Sequence, residues 1–265
     1  MTDIEKGWKT YDDFALGIDT NRLPAEDLTG TSLRVRTESG LDLRCDFGDP
    51  HEVTWNATGA VGWEGASGVD PYDAVAVGED ALFVDLPFHT RPRQAVTVVS
   101  NRRTRRALVI VSTIASEPIP GEPQVGQQFW PGVVGDGDPE PDSPMPAPTR
   151  DLIGHRFLHR YSPNHLYEHI YLNSERYCWQ CLEGVQRGHG DVDLTSTYKL
   201  DEDLYVFAFR EFRIAVASVF FYDMKKLTST GRFLGLTGDG HAEHSRSGAQ
   251  IICLGEADYP DVQPI

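Results

Sequence analysis

The chain has 265 residues, 40% of them hydrophobic and 24% charged, and a formal net charge of −16. That length fits two modest domains or one large one, and so acidic a protein is a poor partner for nucleic acid or anionic membrane. No basic stretch leading into an apolar run opens the chain, and no window approaches the ~18 apolar residues of a membrane helix; Cys45, Cys178, Cys181 and Cys253 form no disulfide framework, so a reduced, cytoplasmic setting is expected.

The only helix expected lies near the N-terminus, around Tyr11–Gly17. Most of the remaining chain reads as β. Val96–Ser100 and Ala107–Ser112 are β-branched runs flanking "NRRTRR", a hairpin signature. The arginines of that loop read as solvated charge that blunts a strand edge. From Glu117 the composition changes. The segment to Pro148 holds nine of the 17 prolines, with glycine and acidic residues between them, which reads as a linker without regular structure. Within it, "QQFWPG" (Gln127–Gly132) carries two aromatics that would anchor it, either as a tether or as a strap over a cavity mouth.

The flanks of this linker resemble one another. Leu28, Gly30 and Trp55 match Leu152, Gly154 and Trp179, each 124 residues on. "EDALFVDLPF" (Glu79–Phe88) resembles "EDLYVFAFREF" (Glu202–Phe212), and the Val96–Ser112 hairpin resembles Ala215–Tyr222 and Leu227–Phe233 around "DMKK". Landmarks in one order at near-constant offset indicate a duplicated unit. The expected architecture is all-β: two tandem antiparallel barrels with one short N-terminal helix, divided as 1–116, a linker at 117–149, and 150–265.

The second copy contains the chemistry. His165–Tyr171 and Tyr177–Glu183 read as strands joined by "NSER". Residues two apart in a strand share a face and stand ~6.6 Å apart. One face therefore carries His165, Tyr167, His169 and Tyr171, and its neighbour carries Tyr177, Trp179, Cys181 and Glu183. Subtracting 124 gives Leu41, Leu43, Cys45 and Phe47, then Val53, Trp55, Ala57 and Gly59. In the first copy this is the apolar, inward face, so in the second a polar, aromatic set replaces a core. Seven of nine histidines and eight of ten tyrosines come after Arg150. A polar interior is costly unless its groups are hydrogen-bonded or bind something. A ligand or catalytic cavity is expected there. The plainer alternative is a hydrogen-bonded core, with Leu166, Ile170 and Leu172 packing outward on the first barrel.

Sharper motifs carry less. In "CWQC" the two cysteines, three apart on a strand, point to opposite faces, and no second pair exists, which argues against zinc. His165 and His169 would sit ~13 Å apart on a strand, too far for joint metal ligation, although either with His241 or His244 stays open. No metal and no cofactor are expected; the glycines of "GLTGDGHAEHSRSG" lack the context of a phosphate loop. What remains is acid/base chemistry by Tyr, His and Glu, with Arg210 or Arg213 either clamping an anion or pairing at the surface with Glu211 or Asp201.

Four segments, "GWKTYDDFALGIDTNRLP…LTG", "YCWQCLEG…GHGDVD", "YKLDEDLYVFAFRE" and "YDMKKLTSTGR", together resemble the molybdenum cofactor biosynthesis protein F (MoaF) family over nearly the whole chain. The resemblance implies calycin-like, lipocalin-type barrels related to phenolic acid decarboxylases, which run cofactor-free lyase chemistry with Tyr, Arg and Glu inside a barrel. The resulting expectation is a lyase, hydratase, isomerase or cyclase acting on a small aromatic or unsaturated acid or ketone. Tyr167, His169 and Tyr171 would move protons with Glu183, while His165, Tyr177, Trp179 and Arg210 bind substrate. A non-catalytic carrier of a pterin or other metabolite, or a scaffold of paired barrels, are the alternatives; a homo-oligomer is compatible with each.

Overall fold

The computed structural model describes residues 8–265; the first seven residues, on which the reading of the N-terminal leader falls, lie outside the described residues. Helix α1 is Tyr11–Ala15, shorter than expected because Gly17 takes φ +78° and turns the chain. Its N-terminus is tied by the Thr10 amide, which donates to Asp13 Oδ2 at 3.0 Å. Among the described residues no helix is long and apolar enough to cross a membrane.

Beyond α1 the chain forms two antiparallel meanders. The first comprises β1 (Thr31–Thr37), β2 (Asp42–Phe47), β3 (Glu52–Thr58), β4 (Ala66–Pro71), β5 (Asp73–Val77), β6 (Ala81–Pro87), β7 (Gln94–Asn101), β8 (Arg106–Ile114) and β9 (Val125–Val134), with β9 closing back onto β1. It is open only between β4 and β5, where Pro71 cannot donate to a ladder. After the two-residue β10 (Ala147–Pro148) come β11 (His155–Ser162), β12 (His165–Tyr171), β13 (Arg176–Glu183), β14 (Gly190–Asp201), β15 (Leu204–Arg210), β16 (Val216–Asp223), β17 (Thr228–Leu236) and β18 (Ala242–Glu256). Here the counterpart of β4 and β5 is one unbroken strand. β14 pairs with both β13 and β15, and the second barrel closes.

Strand β9 corrects the reading of 117–149 as structureless. The prolines bracket it rather than fill it: only Pro131 lies inside Val125–Val134. The aromatic anchor is a strand residue, Phe129, whose ring stacks on Tyr198 at 4.9 Å, and the Gln127 side chain donates to the Ser218 carbonyl. This stretch is neither tether nor strap, but a wall of the first barrel that touches the second.

The barrels pack through the outer faces of β5–β8 and β14–β16. Val75, Phe83 and Ile110 meet Val206, Val219 and Phe221 in a shared apolar layer. Within this contact Arg232, fully enclosed, pairs with Asp85 and donates to Thr97 Oγ1 at 2.9 Å and Ser112 Oγ at 3.2 Å. Leu166, Ile170 and Leu172 do not serve this contact, contrary to the plainer expectation, because β12 lies on the side of the second barrel away from β14–β16.

Candidate functional site

The first barrel is filled as its sequence predicts. Leu41, Leu43, Cys45, Phe47, Val53, Trp55 and Ala57 are all enclosed in one apolar cluster. The Trp55 indole donates to Asp70 Oδ2 at 2.8 Å, and its ring packs 4.7 Å from Phe88. Asp70 also accepts from the amides of His89 and Thr90.

The second barrel repeats this frame with different contents. Trp179 donates to Asp193 Oδ2 at 2.8 Å, and Asp193 accepts from the Phe212 amide, as Asp70 does from His89. At the position of Phe88, 123 residues on, stands Glu211. It is only 6% exposed. It lines a small cavity of about 30 Å³ with Tyr161, Tyr167, His169, Tyr177, Trp179, Gln186, Phe209 and Phe233. The roof is α1 and its continuation: Phe14 and Ile18 complete the lining, Phe14 packs on Phe233 at 5.4 Å, and the Tyr11 hydroxyl donates to Ser245 Oγ at 2.7 Å. The N-terminal helix thus belongs in space to the second barrel. Such a volume is about one water's worth.

Four of the eight candidate residues meet at this cavity: Tyr167, His169, Tyr177 and Trp179. Tyr171 lies deeper, its hydroxyl 3.0 Å from that of Tyr222. His165 sits at the rim, its Nδ1 2.8 Å from Ser162 Oγ, and lines a separate open depression. Glu183 is a correction. A bulge pairs Leu166 with Glu183 and Tyr167 with Cys181, so the alternation slips and Glu183 turns outward to Arg160 at 3.0 Å. Arg210 is another correction: it faces the first barrel, donating to Gln127 Oε1 at 3.1 Å and Ser196 Oγ at 3.3 Å. The acid read as its surface partner, Glu211, is instead the enclosed one. Cys178 and Cys181 do lie on opposite faces, one half-buried and one buried. Among the described residues no three His, Cys, Asp or Glu side chains gather so as to hold a metal.

The electrostatics of the interior derive from enclosure. Burial, reinforced by Asp193 and Asp191, holds Glu211 well above the carboxylate range and so favours its protonated, neutral form. Burial pushes Asp193 up to about 6, against the Trp179 and Phe212 hydrogen bonds. His169 is held well below its ordinary value by burial and by His159, whose ring is 4.1 Å away; burial lowers His159 to about 3. Tyr167 and Tyr177 are raised by burial and remain phenols. Both nitrogens of His159, Nδ1 of His169 and the inward hydroxyls of Ser218, Ser229 and Ser247 find no hydrogen-bond partner among the described residues, and no described residue donates to the Glu211 carboxyl. In the first barrel the Tyr72 hydroxyl is the comparable orphan. Each such group costs about 1–3 kcal/mol, so this interior is poor as core and well supplied as a binding surface.

Family models match both halves: the MoaF N-terminal domain over residues 6–116 and the MoaF C-terminal domain over 146–257. The chain belongs to the MoaF family. It is 32% identical over 201 residues to Protein MoaF of Klebsiella aerogenes, covering 72% of this chain and 74% of that MoaF. A crystal structure of a proposed β-lactamase from Burkholderia vietnamiensis is similar over 41% of this chain and all of its own, at 15% identity and a TM-score of 0.35.

Of the residues that sequence reasoning missed, Glu211 had a readable signal. In the "EDALFVDLPF"/"EDLYVFAFREF" alignment it falls on Phe88, the same apolar-to-polar exchange that singled out His169. Tyr161 and His159 obey the alternation of β11. Gln186 sits in the loop after β13, where the Tyr167 hydroxyl donates to its Oε1 at 2.9 Å, and no periodicity points to it.

Proposed function

We propose that this MoaF-family protein is a cofactor-independent acid/base enzyme whose C-terminal barrel takes a small, uncharged, unsaturated carbonyl compound. The observation that carries the reading is Glu211: a carboxyl pushed towards its neutral form by burial, given no hydrogen bond by any described residue, enclosed among aromatic rings where the sister barrel has Phe88. Among the described residues no Lys or Arg lines the cavity, which favours a ketone or enol over a carboxylate. The neutral Glu211 acid would donate a hydrogen bond to the carbonyl oxygen and stabilise the enolate that forms. The His169 imidazole, whose burial-weakened basicity would be offset by the enolate charge developing beside it, would take the α-proton and return it at the γ-carbon, an isomerisation with no net gain or loss of atoms. Trp179 and Phe209 would flank the substrate plane, and Tyr167 and Tyr177 would supply further donors. Entry requires Phe14 and Ile18 to move aside, since about 30 Å³ holds no organic substrate.

The test is conversion of 3-cyclohexenone to its conjugated isomer, with solvent deuterium uptake at the α-carbon monitored by NMR. Glu211→Gln and His169→Ala should each slow it by roughly 100-fold or more, and Phe14→Ala should speed ligand entry. Exchange no faster than buffer across a panel of small conjugated ketones, or unchanged in both variants, contradicts the reading. A non-catalytic carrier is the second reading, favoured by how completely the aromatic rings fill the barrel. It predicts thermal stabilisation by such ligands without exchange.

A further inference from the structure

A cleft of about 900 Å³ opens between the barrels, bounded by the β4–β5 junction, the end of β6, α1 and the start of β18. Its floor is built from charges set opposite their own kind. Asp73 and Asp85 are direct cross-strand partners on β5 and β6, and Arg232 and Arg246 are direct partners on β17 and β18. Like charges so placed are destabilising. The two barrels offset this in part: Asp85 pairs with Arg232, and Asp73 pairs with Arg22 and, at 3.5 Å, with Arg246. Three guanidiniums thus face two carboxylates, and the surplus is visible in the hydrogen bonds. Arg22 Nε is buried without a partner among the described residues. Arg246, its side chain 58% exposed, makes no contact with a described acid other than the long one to Asp73. A cluster serving only to cement the barrels would enclose all its members, as it does Arg232 and Asp85.

Two further groups of the lining stand unpaired among the described residues: Nδ1 of His244, and the hydroxyl of Tyr72, a residue only 5% exposed. Burial, with Arg232 and His89 nearby, lowers His244 to about 3, so its ring is neutral and Nδ1 is free to carry a donated proton. The rim has the opposite sign. Asp12, Asp19 and Glu243 are exposed there, and no described Lys or Arg pairs with them. Between floor and rim, Leu16 and Pro87 supply apolar wall. We propose that the cleft binds a small zwitterion of dipeptide size, its carboxylate on Arg246 and His244 and its ammonium towards Asp12, Asp19 and Glu243. The proposal does not rest on the enzymatic reading. A surplus of cationic donors below and unpaired carboxylates above disfavours a ligand of either single charge, and the cleft's volume is that of a small-molecule site.

The probe is L-leucyl-L-leucine, too large for the cavity of the second barrel, titrated to ~10 mM so that millimolar affinities are detected. Binding is read by NMR from the His244 ring signals, with His244→Gln assigning them. The expected result is a saturable shift. Acetylating the dipeptide's amine or amidating its carboxylate, each of which removes one charge, should weaken binding roughly 10-fold or more. Arg246→Gln should weaken it as much at an unchanged melting temperature, and Arg44→Gln, on the outside of the first barrel, should leave it intact. No shift with the dipeptide, a capped form that binds as tightly, or wild-type affinity in Arg246→Gln overturns the proposal.

Discussion

The two barrels share one frame and differ in what fills it. Each has a tryptophan donating at 2.8 Å to an aspartate that also holds the backbone just past the sixth strand or its counterpart. Around that pair the first barrel places Val35, Leu43, Cys45 and Phe88, and the second places His159, Tyr167, His169 and Glu211. A duplicated fold therefore supplies its own measure of what a core at each position looks like. Departures from it mark groups that a core does not need.

Exchanging contents should break this comparison asymmetrically. The largest effect is expected from Val35→His, which buries an imidazole in the apolar cluster of the first barrel. It should cost about 3–4 kcal/mol, read as a fall in the midpoint of urea unfolding. The aspartates come next, and their pH dependences differ in sign. Asp70, pushed up by burial but pulled further down by its Thr90, Trp55 and His89 hydrogen bonds, has a net lowered pKa. Its stabilisation is present above the ordinary carboxylate value of 3.8 and is lost as the pH falls. Asp193, raised from 3.8 to about 6, contributes fully below 3.8, and that contribution fades as the pH rises through about 6. Asp70→Asn should therefore cost about 2–3 kcal/mol at pH 7, and Asp193→Asn under about 1 kcal/mol there. The gap should narrow in acid, as chemical denaturation at both pH values would show.

The smallest effect is expected from His159→Val, which restores the first-barrel residue and removes two orphaned nitrogens. It should gain about 1 kcal/mol at pH 7. His159 is lowered from 6.5 to about 3 in the folded chain, so the unfolded state binds its proton first and the wild type loses stability as the pH falls from 6.5 toward 3. The variant lacks that loss, so its advantage should widen over this window in paired thermal melts.

The alternation of His165–Tyr171 and the 124-residue offset were legible because period-two patterning and duplication are local properties of the chain. They placed Tyr167, His169, Tyr177 and Trp179 on the inner face. Glu183 was misplaced because a bulge between Leu166 and Tyr167 shifts its partner by one, which no pattern of apolar residues announces. Glu211 was hidden by a change of offset from 124 to 123 between Trp179 and Asp193. Strand β9 was masked by averaging proline content over a segment whose central ten residues contain one. The roof formed by Phe14 and Ile18 is a tertiary contact between the start of the chain and its second half, beyond any local signal.

The protonation state of Glu211 tests the proposed chemistry most directly. Its side-chain carboxyl can be monitored by ¹³C NMR of glutamate-labelled protein, with Glu211→Gln assigning the resonance. A carboxyl still protonated at pH 7, while surface glutamates have ionised, is the expected result; titration at the ordinary value of 4.5 would contradict it.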